Sequence, residues 1–113
     1  AGSPPLVMAQ RKLVRRPVAQ HDLAEAVSYL RKEGGSALSH RFLDEAEDTF
    51  TRLRSFPHLG TLWPTTNLEL TGIRRRPLPH FPYSIFYRPT ETTIEVVRVL
   101  HHRRDISPLL EDL

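Results

Sequence analysis

Thr93-Ile94-Glu95-Val96-Val97-Arg98-Val99-Leu100-His101 decides how this chain is read. Five of its nine residues are Ile, Val or Leu, and such β-rich runs favour strands. Strict alternation would put Ile94, Val96 and Leu100 on one face and Val97 and Val99 on the other. A strand that is apolar on both faces is covered on both, so this segment predicts a central strand of a sheet with cover on each side.

Working back from it, Pro89 to Thr92 is a turn, and Tyr83 to Arg88 alternates. Tyr83, Ile85 and Tyr87 fall on one face, with Ser84, Phe86 and Arg88 on the other. Pro77, Pro79 and Pro82 punctuate the turn before it, and Leu68 to Arg76 reads as a further strand with a bulge at Gly72. His58 to Asn67, with Gly60 and Trp63, is an irregular crossover, where Trp63 serves to anchor the loop on the core.

The first half has a different period. Ala19, Leu23, Ala26, Val27 and Leu30 fall on one helical face, and Gly34-Gly35 stops the run. Ser36 is suited to cap a second helix with the stripe Leu38, Phe42, Ala46, Phe50 and Leu53, which Pro57 closes. So short a connection predicts an antiparallel helical hairpin. The hairpin can cover one face of the sheet, leaving the other to the chain's own loops or to a partner. Gln10 to Arg16 reads as an edge strand that Pro17 ends, because proline fits the first helical turn. The fold class is α+β: an antiparallel two-helix hairpin on a small antiparallel sheet of three to four strands. Residues 1–8 read as a tag or loose tail, and residues 9–113 as a single domain.

With no cysteine, disulfides and thiolate metal sites are excluded. No apolar run approaches a membrane span. The net charge of +3 is modest, but its distribution is uneven. Residues 71–104 carry seven arginines against Glu91 and Glu95, while residues 17–55 carry five basic against seven acidic side chains. The second half therefore offers a cationic field suited to an acidic protein or a phosphate backbone.

Arg74-Arg75-Arg76 is the sharpest local feature. On a strand, Arg74 and Arg76 share a face and Arg75 opposes them, so the run suits a phosphate or carboxylate clamp. The competing reading is a charged sheet edge that resists wrong pairing. Six histidines do not form a metal site: His101 and His102 are strand neighbours on opposite faces, and His40 with Asp44 lacks a third ligand. Arg16 and His21 fit a loose Arg-x4-His ribonuclease pattern that belongs to all-helical folds, which the strands contradict.

Taken in order, these pieces resemble the ParE/RelE superfamily of toxins from type II toxin–antitoxin pairs. The resemblance rests on Ala19-x-x-Asp22-Leu23 with Tyr29, then Phe42, Phe50, Leu53, Pro57 and Gly60. It continues through Leu70, Gly72, Ile73, Arg74, Tyr83-x-Ile85-x-Tyr87 and Ile94-x-Val96-x-Arg98-Val99-Leu100-His101-x-x-Arg104-Asp105, roughly residues 13–106.

The resemblance implies a cytoplasmic toxin that arrests growth, serves plasmid maintenance and forms a hetero-oligomer with a cognate ParD-like antitoxin. It implies no cofactor, no metal, no membrane, and operator DNA contacted only through the antitoxin complex. Two mechanisms share the fold. ParE-like members poison DNA gyrase without being enzymes, and RelE-like members cleave mRNA on the ribosome. The ending resembles ParE more closely: lysine is absent after Lys32, and Ile106 stands where a RelE-like tyrosine is expected. For a gyrase poison the target-binding residues are Arg74, Arg75, Arg76, Arg103 and Arg104. For a nuclease the catalytic set is Arg74, Arg76, Tyr87, His101 and Arg103. The antitoxin is expected on Leu23, Val27, Leu30, Phe86, Val97 and Val99. A third reading is a toxin fold that has lost activity and only binds.

Overall fold

The computed structural model describes residues 10–111, so the expected tail lies outside the described residues. Strand β1 (Lys12–Arg15) leads into helix α1 (Pro17–Ser55). Arg16 supplies the extended residue before the helix and Pro17 its first turn, with Arg52 and Arg54 in the last turn facing its negative end. At Gly35 φ is 82° and ψ 180°, a conformation only glycine takes without strain, and there α1 breaks into two arms. Ala19, Leu23, Ala26 and Leu30 from the first arm and Phe42, Ala46, Phe50 and Leu53 from the second enter one core cluster. The hairpin expected from the stripes is present.

Four further strands follow: β2 (Thr61–Leu62), β3 (Arg74–Pro77), β4 (Tyr83–Pro89) and β5 (Thr93–His101), and the chain closes with helix α2 (Ile106–Glu111). The sheet order is β1-β5-β4-β3-β2. It therefore has five strands rather than three to four, and β1 pairs parallel to β5 while every other pair is antiparallel.

Two strand expectations are corrected. Leu68 to Arg76 is not one strand: Leu68–Leu70 is a 3-10 turn, capped by Asn67 Oδ1 accepting from the Glu69 N–H at 2.9 Å. Gly72, at φ 85°, turns the chain back so that Ile73 N–H reaches Leu70 C=O, and β3 begins only at Arg74. The bulge lies instead in β5, where Phe86 pairs with Arg98 and Tyr87 with Val96, leaving Val97 as an extra residue. That extra residue flips the alternation beyond it. Ile94, Val96 and Val99 face the hairpin, while Val97 and Leu100 face the other side. Val99 and Leu100 are thus on the faces opposite to those that strict period two assigns.

The second face of the sheet is closed by the chain itself. Phe86, Val97 and Leu100 pack with Leu70, Ile73 and Leu110, and Trp63, Ile106 and Leu109 lie against them. Trp63 meets Phe86 edge to face at 5.4 Å, the anchoring role expected of it.

Candidate functional site

Beyond Val96, β5 runs on without β1 beside it, because Pro17 turns the chain into α1. Asp22, one turn into that helix, fills the gap. Its carboxylate accepts from Val99 N–H at 3.0 Å and from Arg98 Nε and Nη2 at 2.8 and 2.9 Å. The side chains of Asp22 and Arg98 are only 6% and 11% exposed, so this bidentate pair is a buried bolt between α1 and β5. The pairing holds the Arg98 guanidinium charged more firmly than usual, against the cost of its burial. A signal for it existed: Asp22 sits three residues after Ala19 inside the buried stripe, where a carboxylate requires a cation.

Above this bolt lies a cleft of about 300 Å³ between the first arm of α1 and the end of β5. Asp22, Glu25, Ala26 and Tyr29 form one wall, and Tyr83, Val99, Leu100, His101, Arg103 and Arg104 the other. Tyr29 is 53% exposed, unusual for so large a ring. His101 stacks edge to face on Tyr83 at 4.9 Å. Its Nδ1 accepts from Arg103 N–H at 2.9 Å, so in the neutral ring the proton sits on Nε2. Burial, and then the Arg103 charge, hold its pKa below the usual histidine value. Arg103 and Arg104 are exposed, and no ion pair among the described residues involves either.

The arginine triplet lies elsewhere. Arg74 and Arg76 pair across from Tyr87 and Ile85, and Arg75 from Phe86, so the expected opposition of Arg75 to its neighbours holds. Each has a different task. Arg74 Nη1 donates to Gly60 C=O at 2.7 Å, tying β3 to the exit of the hairpin. Arg75 Nε donates to Ser84 Oγ at 3.0 Å, and its guanidinium lies about 6 Å from the rings of Trp63 and Phe86. Arg76 borders a cleft of mixed charge, with Asp44, Glu45 and Asp48 beside Arg41 and Arg52.

Tyr87 is fully buried. Its hydroxyl donates to Pro57 C=O and accepts from Gly60 N–H, both at 2.8 Å. Burial pushes this phenol above its ordinary pKa, outweighing the Gly60 bond and the Arg74 and Arg76 charges that pull it down. A Cβ on Gly60 would come within 2.9 Å of the Tyr87 ring and 2.8 Å of Arg75 C=O, so only glycine permits this approach. Ser84, fully buried, holds His102 Nε2 at 2.8 Å. Burial and the neighbouring Arg75 lower the His102 pKa. The Arg75–Ser84–His102 chain had no sequence signal, since its members come from β3, β4 and the turn after β5.

Of the five residues expected in a nuclease, only His101 and Arg103 line a common cleft; Arg76 lines another, and Arg74 and Tyr87 knit the hairpin exit. Of the expected antitoxin contacts, Phe86 and Val97 are buried beneath the C-terminal cover and Val99 beneath the hairpin. The cause is α2, which was not anticipated, together with the β5 bulge. Leu23 and Leu30 are also buried, whereas Val27 is partly open. Leu23 and Val27 border a cleft of about 620 Å³ with Leu43 of the second arm, rimmed by Arg15, Arg31 and Lys32. No helix among the described residues is long and apolar enough to cross a membrane, and no group of three or more metal-ligating side chains occurs among them.

Comparison with known proteins places this geometry. A chain of the chromosomal ParDE TA system from P. aeruginosa superposes with a TM-score of 0.68 at 17% identity, covering 82% of this chain and 97% of that one. A chain of the toxin–antitoxin complex RelBE2 from Mycobacterium tuberculosis superposes with a TM-score of 0.54 at 19% identity, covering 83% and 93%. At such identities these likenesses establish the fold. No curated protein matches the sequence. The family model described as ParE toxin of type II toxin-antitoxin system, parDE, matches residues 13–106. With most of its length matched by that model, this chain belongs to the ParE toxin family of type II toxin–antitoxin systems.

Proposed function

We propose that this protein is a ParE-like toxin that arrests growth by poisoning DNA gyrase, acting by binding rather than catalysis, and that a ParD-like antitoxin neutralises it. The carrying observation is the Tyr87 hydroxyl. Buried, with its proton given to Pro57 and its lone pair to Gly60, it is a structural group and not a proton donor for a leaving oxygen. Lysine is also absent after Lys32, so the cations of this half are arginines, suited to bidentate contact with carboxylate or phosphate. Arg103 and Arg104 are the exposed pair best placed to meet a target, with Arg75 and Arg76 nearer the other edge and Arg74 turned inward.

The neutralising partner fits the cleft between the arms of α1, where Leu23, Val27 and Leu43 offer an apolar floor under a basic rim. Phe86 and Val97 become available to it only if α2 leaves the sheet. Operator DNA would be reached through the antitoxin, in the cytoplasm where its target resides. The test is a supercoiling and cleavage-complex assay with purified gyrase, run beside ribosome-dependent mRNA cleavage. Cleaved DNA held by gyrase supports the reading, and cut transcripts with unaffected gyrase refute it.

One observation favours the nuclease reading: His102 Nε2 and Ser84 Oγ sit at 2.8 Å beside the Arg75 guanidinium, an imidazole next to a cation. In the same paired assay this reading requires transcript cleavage that His102→Ala abolishes.

A further inference from the structure

The turn that leaves the hairpin is built inside out. Pro57 and Gly60 are buried, whereas Phe56, Leu59 and Leu62 are 62%, 37% and 59% exposed. A single exposed leucine is ordinary on a protein surface, as Leu68 is here. Three large apolar side chains within seven residues form a patch. Leu59 N–H bonds back to Phe56 C=O at 3.1 Å, which closes a tight turn. Leu62 pairs across from Arg74, and Arg74 across from Tyr87, so Leu62 lies on the hairpin side of the sheet beside that turn.

The patch is also held still. The buried Tyr87 hydroxyl fixes Pro57 C=O and Gly60 N–H, and Arg74 Nη1 fixes Gly60 C=O at 2.7 Å. A surface ordered before contact loses little conformational entropy on binding, as a docking anchor requires.

Charge indicates what fits it. Arg11 N–H donates to Arg54 C=O at 3.0 Å, which sets the approach to β1 against the helix end next to Phe56. The side chains of Arg11, Arg54 and Arg74 donate to the carbonyls of Thr90, Arg11 and Gly60, and no ion pair among the described residues involves any of the three. A complementary surface therefore carries carboxylates around an apolar pocket. The apolar side chains leave open roughly 300 Å², well short of the ~800 Å² that each partner of a stable complex contributes. Two copies meeting here would also set these arginines against their like. A nucleic acid would use the arginine rim, but Leu59 and Leu62 give its bases no ring to stack on.

We propose that the hairpin exit is a docking surface for the folded protein that the toxin acts on. Phe56, Leu59 and Leu62 enter an apolar pocket of that protein, and Arg11, Arg54 and Arg74 meet carboxylates around it. The proposal rests on the toxin reading and adds a contact toward the opposite end of the sheet from Arg103 and Arg104. It shares no residue with the cleft between the arms of α1.

The test pairs growth arrest on induced expression with titration of the purified whole chain into purified gyrase. Wild type should arrest growth, and Phe56→Ala/Leu62→Ala at equal abundance and unchanged melting temperature should not. Leu68→Ala, on an exposed leucine outside the patch, should act as wild type does. The Kd for gyrase should rise about tenfold or more in the double variant and about threefold in Arg54→Gln, with Arg54→Lys close to wild type. Growth arrest by the double variant at wild-type strength overturns the proposal, as does an unchanged Kd where wild type binds gyrase. Binding of duplex DNA alone through the same side chains, a dimer that the double variant abolishes, or NMR contacts of Leu6, Val7 or Met8 with Phe56 would each name another occupant and overturn it too. Growth arrest that the double variant loses, with gyrase unbound, sinks the gyrase reading and leaves the docking surface standing. A wild-type chain that arrests nothing overturns both.

Discussion

The two faces of the sheet are covered by very different amounts of chain. On one side lie both arms of α1, whose residues share a single cluster with Tyr83, Ile85, Tyr87, Ile94, Val96 and Val99. On the other lie a six-residue helix and a crossover, packed on Phe86, Val97 and Leu100. Both covers exclude water, yet their origins differ. The hairpin has length enough to bury a full stripe from each arm, whereas α2 is far too short to be helical without its contacts. Beyond Leu109 and Leu110 it is held by Asn67 Nδ2 donating to Glu111 at 2.9 Å and Arg98 Nη1 reaching Leu109 C=O at 3.4 Å. A cover made this way opens at lower free energy than the rest of the fold.

Truncation on each side measures that difference. Phe42, fully buried and packed on the rings of Phe81 and Tyr83, should cost about 3–5 kcal/mol as Phe42→Ala in denaturant unfolding. Leu110→Ala, on an equally buried side chain, should cost about 2 kcal/mol or less, because α2 can release locally instead of leaving a cavity. Equal losses for the two would mean that the covers are one cooperative unit. Hydrogen exchange gives the same contrast without mutation: amides of α2 should exchange well before those of β4 and β5.

The Asp22–Arg98 bolt touches both covers, so breaking it should blur the contrast. Asp22→Asn leaves an almost buried guanidinium without its carboxylate and should destabilise the fold by about 3 kcal/mol. Melting curves read this directly, and a change below about 1 kcal/mol would show the pair to be solvated. Smaller again is Tyr87→Phe, at about 1–3 kcal/mol, since it strands Gly60 N–H and Pro57 C=O inside the fold.

The smallest effect expected is on pH. His101 and His102 have pKa values lowered in the fold, so the unfolded chain binds protons more readily. Their contribution to stability is present above the unfolded value of about 6.5 and fades as pH falls through the lower folded values. Melting temperature should drop slightly on acidification across that window, and less so in His102→Gln. A rise on acidification would reverse the sign of the argument.

How far the sequence carried depends on what kind of contact was involved. The hairpin was legible because its stripes repeat at helical spacing and Gly34-Gly35 interrupts them. The pairing of Tyr83, Ile85 and Tyr87 on one face was legible for the same reason, at period two. The β5 bulge was not, because an inserted valine among valines leaves the composition of each face unchanged. Leu68 to Ile73 misled as a strand since the Asn67 cap and the Gly72 turn act through local geometry. Ile106 to Glu111 gave too few residues to show a period. The candidate cleft was legible only in parts: Arg103, Arg104 and His101 stood out, whereas Tyr29 and Asp22 meet them through tertiary contact alone.

The most direct test of the central claim is a DNA cleavage-complex assay with purified gyrase. It should compare the wild-type chain, folded Tyr87→Phe, and Arg103→Ala/Arg104→Ala. A toxin that acts by binding should trap cleaved DNA as wild type and within a few-fold as Tyr87→Phe, and should lose most of that effect when both arginines are removed. The account is contradicted if gyrase is untouched while ribosome-bound transcripts are cut. It is equally contradicted if folded Tyr87→Phe loses about 10²–10⁴ in activity, as removal of a general acid would require.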